Sequence, residues 1–410
     1  MTQPHAVVFG AGNVGRGFLG QLFSESGYEV VFVDIDGPLI AALNERRGYT
    51  IRLVDNERAE EVVVSPVRAL LSSDHQEVAE ALATAAIAAT AVGVRALPYI
   101  APLVAEAISL RAGGGPNLRL APGGTARETT GHPSPLNIII CENLKNAAAA
   151  FNRMVVEHLP EHLLPYMEAN VGFVDTVIAR MVPPPTEEMR QEDPSLILVE
   201  PYKELPVDRS GFAGPIPEIT GMQPIDNFAI YTARKLYVHN CGHAMLGYLG
   251  YQRGHTYGYD ALEDKVIRPL LEAALAESNG GIVAAHDADP QWLQAHMADL
   301  LRRFANRALG DTVLRLARDP LRKLAPTDRL VGAARLAEQA GQTPRALSWG
   351  IAAGYRFDHA DDPLAMKLQQ RITAEGFDQV LADVSGISAD EPLAALVRER
   401  YVELDEGSWP

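Results

Sequence analysis

Three glycines near the N-terminus constrain the fold more than any other feature of this sequence. Gly10, Gly12 and Gly15 match the pattern G-x-G-x-x-G, directly after an apolar strand pattern at 6–8 and at the start of an amphipathic helix pattern. Such glycines allow a tight turn, close approach of the backbone to a pyrophosphate, and close packing of helix on strand. The helix N-terminus then offers N–H groups to the phosphates. The pattern predicts a dinucleotide-binding turn, and a merely structural glycine turn is the alternative.

An acidic residue stands where such a turn needs one. Asp34 ends the next predicted strand, where a carboxylate can accept hydrogen bonds from ribose hydroxyls and would repel a 2′-phosphate. NAD is therefore expected in preference to NADP, and the alternative is that Asp34 caps the following helix. The predicted cofactor contacts are Gly10, Ala11, Gly12, Asn13, Val14, Gly15, Arg16 and Asp34.

The order of the predicted elements indicates an α/β fold followed by a helical region. Further strand patterns lie at 29–33, 49–53, 61–65, 86–92, 136–141 and 196–199, and a helix pattern lies at 38–46. Helix patterns dominate later, at 228–249, 259–277, 290–309, 330–339 and 363–373. Glycine and proline make 111–132 an expected exposed loop insertion. We predict an N-terminal Rossmann-type dinucleotide-binding domain with extra strands at 1–214, and a mostly α-helical substrate and catalytic domain at 215–410.

Composition narrows the range of partners. The 410 residues carry a net charge of −16, which disfavours nucleic acid and anionic membranes as partners. The sequence contains no apolar run of roughly 20 residues, so a cytoplasmic location is expected. The two cysteines, Cys141 and Cys241, are expected to be reduced thiols. The expected partner is a small molecule, which can be anionic if Arg and Lys gather locally, and the oligomeric state is left open.

A short segment of the second half combines three polar side chains suited to catalysis. Oxidation of an alcohol needs a base for the hydroxyl proton and donors that stabilise the oxygen. Lys235, Asn240 and His243 lie within nine residues, and a regular helix would place His243 about 80° from Lys235 and about 60° from Asn240. The His and Cys residues show no zinc-ligand spacing, so a side-chain base without metal is expected. The alternative is a solvated surface lysine.

Several stretches resemble the polyol-specific long-chain dehydrogenase/reductase family, most closely the bacterial mannitol-1-phosphate 5-dehydrogenases. These stretches run nearly end to end, at 9–18, 135–143, 171–175, 235–244 and 320–324. The resemblance implies that Lys235 is the general base, that Asn143 and Asn240 form an oxyanion hole, and that His243 orients the substrate hydroxyls. A lysine base near neutral pH needs a pKa well below the usual value of about 10.4.

The resemblance also implies the substrate pair mannitol 1-phosphate and fructose 6-phosphate. Arg322 and Lys323 are the leading candidates for gripping the substrate, with Arg180 and Arg329 as lesser ones, because cations suit phosphate; the alternative is surface charge. Ala179 and Ala233 stand where the family usually has carboxylates. A non-phosphorylated polyol (mannitol/fructose) or a hexuronate is therefore the alternative substrate, and a non-catalytic NAD-binding regulator is the rival from another class.

Overall fold

Alternating strands and helices give the first half of the chain a parallel sheet, as the sequence predicts. A computed structural model describes residues 3–113 and 134–410, so most of the predicted insertion at 111–132 lies outside the described residues. The chain divides into two units, with Phe228 ending the first and Ala229 beginning the second. The predicted domain boundary after residue 214 stays a prediction. Over the described residues, no helix has the length and apolarity needed to cross a membrane.

Eleven strands are described, all of them in the first unit. They are β1 (His5–Phe9), β2 (Glu29–Asp34), β3 (Tyr49–Val54), β4 (Ala59–Val64), β5 (Val67–Leu71), β6 (Ile87–Thr90), β7 (Leu136–Ile140), β8 (Val171–Asp175), β9 (Ile197–Val199), β10 (Leu205–Asp208) and β11 (Met222–Ile225). Six form a parallel sheet in the order β5-β2-β1-β6-β7-β8, and two small sheets, β4-β3-β9 and β10-β11, supply the extra strands.

Helices cover both faces of the parallel sheet. The helices of the first unit are α1 (Gly20–Glu25), α2 (Gly37–Arg46), α3 (His75–Thr84), α4 (Leu97–Ala112), α5 (Ala147–Val156), α6 (Leu164–Asn170) and α7 (Glu187–Glu192). Alternate residues of a strand point to opposite faces. Val7 and Phe9 therefore share a core with α3, α4 and α5, whereas Ala6 and Val8 share one with α1 and α2.

Helices are the only regular secondary structure in the described residues of the second unit, apart from one isolated β-bridge, and turns and loops join them. Its helices are α8 (Phe228–Arg234, which begins on the last residue of the first unit), α9 (Cys241–Gln252), α10 (Gly258–Glu263), α11 (Ile267–His286), α12 (Pro290–Phe304), α13 (Val313–Ala317), α14 (Pro320–Lys323), α15 (Val331–Gln339), α16 (Arg345–Tyr355), α17 (Pro363–Glu375), α18 (Phe377–Ser385) and α19 (Pro392–Asp405). The predicted fold class, a Rossmann-type domain with extra strands followed by a mostly helical region, is confirmed.

Two of the predicted helices are interrupted, and the helix predicted at 290–309 ends at Phe304, before a separate 3-10 turn at Arg307–Leu309. The helix predicted at 228–249 contains a π-helical turn, Lys235–Asn240, between α8 and α9. The helix predicted at 259–277 breaks at Asp264, whose carboxylate accepts hydrogen bonds from the backbone N–H groups of Val266 and Ile267. Such a cap satisfies the free donors at the start of α11 and so favours a new helix there.

Candidate functional site

The sheet register brings the carboxyl ends of its parallel strands together. Phe9 pairs with both Val33 and Thr90, and the ends of β7 and β8 continue the same row through Ile140 and Asp175. The segments that follow these strands therefore lie along one edge of the sheet, which is where open α/β sheets bind their ligands.

The glycine turn after β1 is shaped by close backbone contacts. Gly10 has a φ of +96°, and a Cβ atom there would lie 2.4 Å from the carbonyl oxygen of Ala91. A Cβ at Gly15 would lie 1.9 Å from the Gly10 carbonyl oxygen. Gly12 is exposed, and a Cβ there would have no atom of the described chain within 4 Å. The turn therefore requires glycine at two positions and leaves open backbone at the third, as a bound pyrophosphate needs.

Arg16 stabilises this turn from inside the unit. Its buried guanidinium donates from Nε to the Ala11 carbonyl oxygen at 2.6 Å and from a terminal nitrogen to the carbonyl of Ser195. Burial lowers the pKa of this guanidinium. The helix here opens with a π-helical turn, Gly15–Leu19, and the Tyr49 hydroxyl donates to the Arg16 carbonyl oxygen at 2.7 Å. The side chain of Arg16 thus stabilises the turn by hydrogen bonds inside the unit, and its contact with a cofactor stays a prediction.

Two further predicted cofactor contacts directly precede this π-helical turn. Asn13 and Val14 are both half-buried. The Asn13 side chain donates to the Val182 carbonyl oxygen at 3.4 Å. Their contacts with a cofactor stay predictions.

Asp34 is bonded directly to the glycine turn. Its Oδ2 accepts from the Ala11 N–H at 2.6 Å, and its Oδ1 accepts from the N–H groups of Ile35 and Asp36. The helix that follows is capped by Asp36, whose carboxylate accepts from the Leu39 N–H. The alternative that Asp34 is the helix cap is therefore wrong, and Asp34 sits where the ribose of a dinucleotide would be recognised.

We expect Asp34→Ala to narrow the preference for NAD over NADP by roughly tenfold, because a hydrogen bond to a charged group and the repulsion of a 2′-phosphate are both lost. The measurement is kcat/KM with each cofactor. Asp36→Ala, which removes the neighbouring carboxylate and the helix cap, is the control and should keep the preference. Equal rates with both cofactors in the unmutated protein would contradict the assignment.

Asn143 lies exposed in the turn between β7 and α5, and two carboxyl groups fix the ends of that turn. Glu142 is buried and accepts hydrogen bonds from the Thr90 hydroxyl and, at 3.0 Å, from the Val92 N–H; burial raises the pKa of this carboxyl group. Asp175 accepts from the Ala148 N–H at the start of α5. No role for Glu142 or Asp175 follows from the sequence alone, although Glu142 directly follows the strand pattern at 136–141 and Asp175 closes one of the stretches that resemble the family.

In the second unit, the π-helical turn brings together two of the predicted catalytic residues. The Nζ of Lys235 donates to Oδ1 of Asn240 at 2.9 Å. In a regular α-helix, residues five apart would face about 140° away from each other, whereas a π-helical turn makes i→i+5 contacts. The segment Lys235–Asn240 therefore departs from the regular helix that its sequence predicts, and single π-helical turns of this kind are frequent at functional sites.

His243, three residues further along, is held between two rings. Its ring centroid lies 4.3 Å from that of Phe304 and 4.9 Å from that of His239, which meets it edge-on. A Cβ at Gly242 would come within 2.7 Å of the Phe304 ring, so glycine makes room for this packing. Burial, helped by the positive charges of Lys235 and other cations, holds the pKa of His243 well below its usual range. The imidazole is therefore neutral and can both donate and accept.

Arg322 and Lys323, the two leading candidates for binding the substrate, lie in different environments. Arg322, at the end of the short helix α14, keeps 46% of its side chain exposed and pairs with Asp319 at 2.7 Å. Lys323 is buried, and its Nζ donates to the Leu316 carbonyl. Burial and the nearby charge of Arg329 lower the pKa of Lys323 to about 6. Arg322 is thus accessible to a ligand, whereas the contacts of Lys323 favour a structural role; its part in substrate binding stays a prediction.

The lesser candidates are also engaged within their units. Arg180, in the first unit, is buried and donates to the carbonyl oxygens of Glu200 and Gly17 and to the Gln21 side chain. Arg329, in the second, is buried and pairs with Asp328 at 2.7 Å. Within the described residues, no group of three or more His, Cys, Asp or Glu side chains is placed to hold a metal ion.

Comparison with known proteins gives two matching family models. The model described as mannitol dehydrogenase Rossmann domain matches residues 4–221, and that described as mannitol dehydrogenase C-terminal domain matches residues 227–406. Among curated proteins, the mannitol-1-phosphate 5-dehydrogenase of Bacillus velezensis is 38% identical over 396 residues, covering 96% of this chain and 99% of its own. That of Brevibacillus brevis is 37% identical over 403 residues, covering 98% and 99%.

Two solved structures share the fold. A substrate-free D-sorbitol dehydrogenase aligns with a TM-score of 0.79 at 16% identity, covering 99% of this chain and 94% of its own. The mannitol 2-dehydrogenase of Pseudomonas fluorescens, solved with NAD and D-mannitol, aligns with a TM-score of 0.68 at 16% identity, covering 99% and 93%. At 16% identity, the likeness to these two structures shows a shared fold and nothing more.

Proposed function

Because this chain belongs to the mannitol dehydrogenase family in both its Rossmann and its C-terminal domain, we propose that it is an NAD-dependent dehydrogenase that interconverts mannitol 1-phosphate and fructose 6-phosphate. One observation carries this proposal: relatives named mannitol-1-phosphate 5-dehydrogenase match it at 37 to 38% identity over nearly the full length of both chains. The free thiols of Cys141 and Cys241 fit the cytoplasmic location that we propose with it.

The glycine turn and Asp34 fit NAD. When bound, NAD supplies the hydride acceptor for oxidation of the alcohol. The open backbone at Gly12 would take the pyrophosphate, and Asp34 would accept hydrogen bonds from the ribose hydroxyls. Arg16 and the packed glycines at 10 and 15 keep that backbone in place, so little of the turn needs to be reordered on binding.

Lys235 is the proposed general base, without a metal ion. In the oxidation direction its neutral amine takes the proton of the substrate hydroxyl, and in the reduction direction its ammonium returns that proton. Because the Oδ1 of Asn240 accepts from Lys235, the Nδ2 of the same amide is left to donate to the substrate oxygen. Asn143 is the proposed second donor of this oxyanion hole.

His243 and Arg322 are the proposed substrate contacts. The imidazole of His243 is neutral and fixed by its ring neighbours, so it can orient a hydroxyl without competing for the proton. The accessible guanidinium of Arg322 suits a phosphate, which it can bind through two parallel hydrogen bonds. Because Arg322 is exposed, it could bind a phosphate without any movement of the buried residues of α14.

The experiment that tests this function is NADH oxidation with a panel of fructose 6-phosphate, fructose and a hexuronate such as fructuronate. We expect fructose 6-phosphate to give the highest kcat/KM. A higher value for free fructose or for the hexuronate would assign the enzyme to another substrate within the same family. Binding of NADH with no turnover of any ketose would instead support a non-catalytic regulator.

A further inference from the structure

The carboxylate of Glu142 bridges the ends of two neighbouring strands of the parallel sheet. Thr90 ends β6 and pairs with Ile140 at the end of β7, beyond which neither chain continues as a strand. Glu142 is the second residue after β7, and only 7% of it is exposed. One of its carboxylate oxygens accepts from the Thr90 hydroxyl, and the other accepts from the Val92 N–H at 3.0 Å. The side chain therefore ties the chain after β7 to the chain after β6.

The β6 side of this bridge is fixed independently of Glu142. The Ala91 N–H donates to the Phe9 carbonyl oxygen of β1 at 2.7 Å. The Ala91 carbonyl oxygen packs so closely on the glycine turn that a Cβ atom at Gly10 would lie 2.4 Å from it. Thr90 is fully buried. The segment after β6 is therefore held against β1 and the glycine turn, and it offers the carboxylate fixed partners.

The other side of the bridge carries Asn143. Residues 143–146 are all exposed, so packing does little to fix their positions. Glu142 is buried directly before them, and its carbonyl oxygen accepts from the Leu144 N–H at 2.9 Å. Asn143 thus lies between two residues that are bonded to each other, and the first of these is fixed through its side chain. Asp175 holds only the far end of the turn, at the start of α5.

We propose that Glu142 is a positioning residue that holds Asn143 where its amide can donate to the substrate oxygen. An oxyanion hole stabilises developing charge because its donors are fixed in advance at hydrogen-bond distance from that oxygen. A displacement of about 1 Å can lower a rate by about a hundredfold. An exposed asparagine on a turn meets this requirement when the backbone next to it is held in place. This inference rests on the proposed role of Asn143 in the oxyanion hole.

Removing the carboxylate should lower turnover and leave cofactor binding nearly intact. Glu142→Ala is expected to lower kcat by roughly ten- to a hundredfold, because the residue before Asn143 is no longer fixed. NADH affinity, measured by fluorescence titration, should change little, since Ala91 keeps its own contacts with β1 and the glycine turn. Glu142→Gln should stay near the parent, because its carbonyl oxygen can accept from the Val92 N–H and its NH₂ group can donate to the Thr90 hydroxyl oxygen.

A double variant separates positioning from a general loss of stability. Asn143→Ala alone should lower kcat by about a hundredfold or more, the typical cost of removing one oxyanion donor. Because Glu142 is proposed to act only through the Asn143 amide, Glu142→Ala combined with Asn143→Ala should turn over no more slowly than Asn143→Ala. Amide hydrogen exchange of residues 143–146, followed by peptide mass spectrometry, gives a readout that does not depend on turnover. This exchange should become faster in Glu142→Ala.

The matched control is Asn137→Ala, near the other end of β7. Asn137 is also buried, and its side chain also makes two hydrogen bonds, to the N–H and the carbonyl oxygen of Ala213. Its loss should lower the melting temperature but leave kcat and the exchange of residues 143–146 unchanged. Should Glu142→Ala fail to fold, Thr90→Val takes its place. That variant removes one of the two hydrogen bonds at nearly constant volume and should lower kcat only when Asn143 is present.

The outcomes distinguish this inference from the function beneath it. Losses in kcat that multiply in the double variant would overturn the positioning role while leaving Asn143 as a donor, and so would unchanged exchange of residues 143–146 in Glu142→Ala. A loss in Glu142→Gln as large as that in Glu142→Ala would also overturn it, because the two hydrogen bonds would then not be the cause. Near-normal turnover in Asn143→Ala would instead remove Asn143 from the proposed oxyanion hole, and the positioning role with it.

Discussion

Lys235→Ala is expected to lower kcat by about a thousandfold or more in both directions, since general acid and base catalysis by a positioned side chain contributes up to about four orders of magnitude. NADH affinity should change little, because the glycine turn and Asp34 that are proposed to hold the cofactor belong to the first unit. The measurements are steady-state kinetics and NADH fluorescence titration. A small exogenous amine such as methylamine should restore part of the activity.

The matched control for this variant is Lys265→Ala, which removes an exposed lysine of the same unit and should keep normal kinetics. Near-normal turnover in Lys235→Ala would contradict the lysine mechanism. So would loss of activity in the unmutated enzyme after treatment with a chelator, because the proposed base needs no metal ion.

Arg322→Ala is expected to lower kcat/KM for fructose 6-phosphate by about a hundredfold while changing the value for free fructose little. A charge-assisted contact with a phosphate is worth about 1.5–3 kcal/mol, and its loss appears only with the phosphorylated substrate. The measurement is kcat/KM for both ketoses in each variant.

Arg268→Ala is the control for this second variant. Arg268 is also exposed, with 53% of its side chain accessible, and is also paired with a carboxylate, that of Glu272. It should keep the preference for fructose 6-phosphate. Equal losses with both ketoses in Arg322→Ala would contradict the phosphate contact and would indicate a role in folding or in binding the sugar itself.

The cofactor turn could be predicted from the sequence because its determinants are local. A strand, three glycines and a carboxylate at the end of the next strand define one compact motif, and the contact of Asp34 with Ala11 follows from it. The parallel sheet and the helical second half were predictable for the same reason. The spacing of apolar residues within a short stretch of sequence distinguishes a helix from a strand. The four missed strands, β5, β8, β10 and β11, are segments of four or five residues without clear alternation.

The geometry of the proposed catalytic residues depends on the tertiary structure, which local sequence patterns do not report. The regular periodicity of 228–249 gives no sign of the π-helical turn that joins Lys235 to Asn240. Trp292 packs against Arg234 from a helix distant in sequence, so no local pattern predicts this contact. Arg322 and Lys323 are neighbours in sequence but differ in burial, because α14 has only four residues and shows too little periodicity to separate an inner from an outer side.

The most direct test of the central claim is to identify the product formed from fructose 6-phosphate with NADH in which both hydrogens at the nicotinamide C4 position are replaced by deuterium. NMR and mass spectrometry of the product should show mannitol 1-phosphate carrying one deuterium, on the carbon that was the ketone of fructose 6-phosphate. This result would establish hydride transfer, the substrate pair and the stereochemistry together. An unlabelled product, an epimeric hexitol phosphate, or no product from fructose 6-phosphate under conditions in which another ketose is reduced would contradict it.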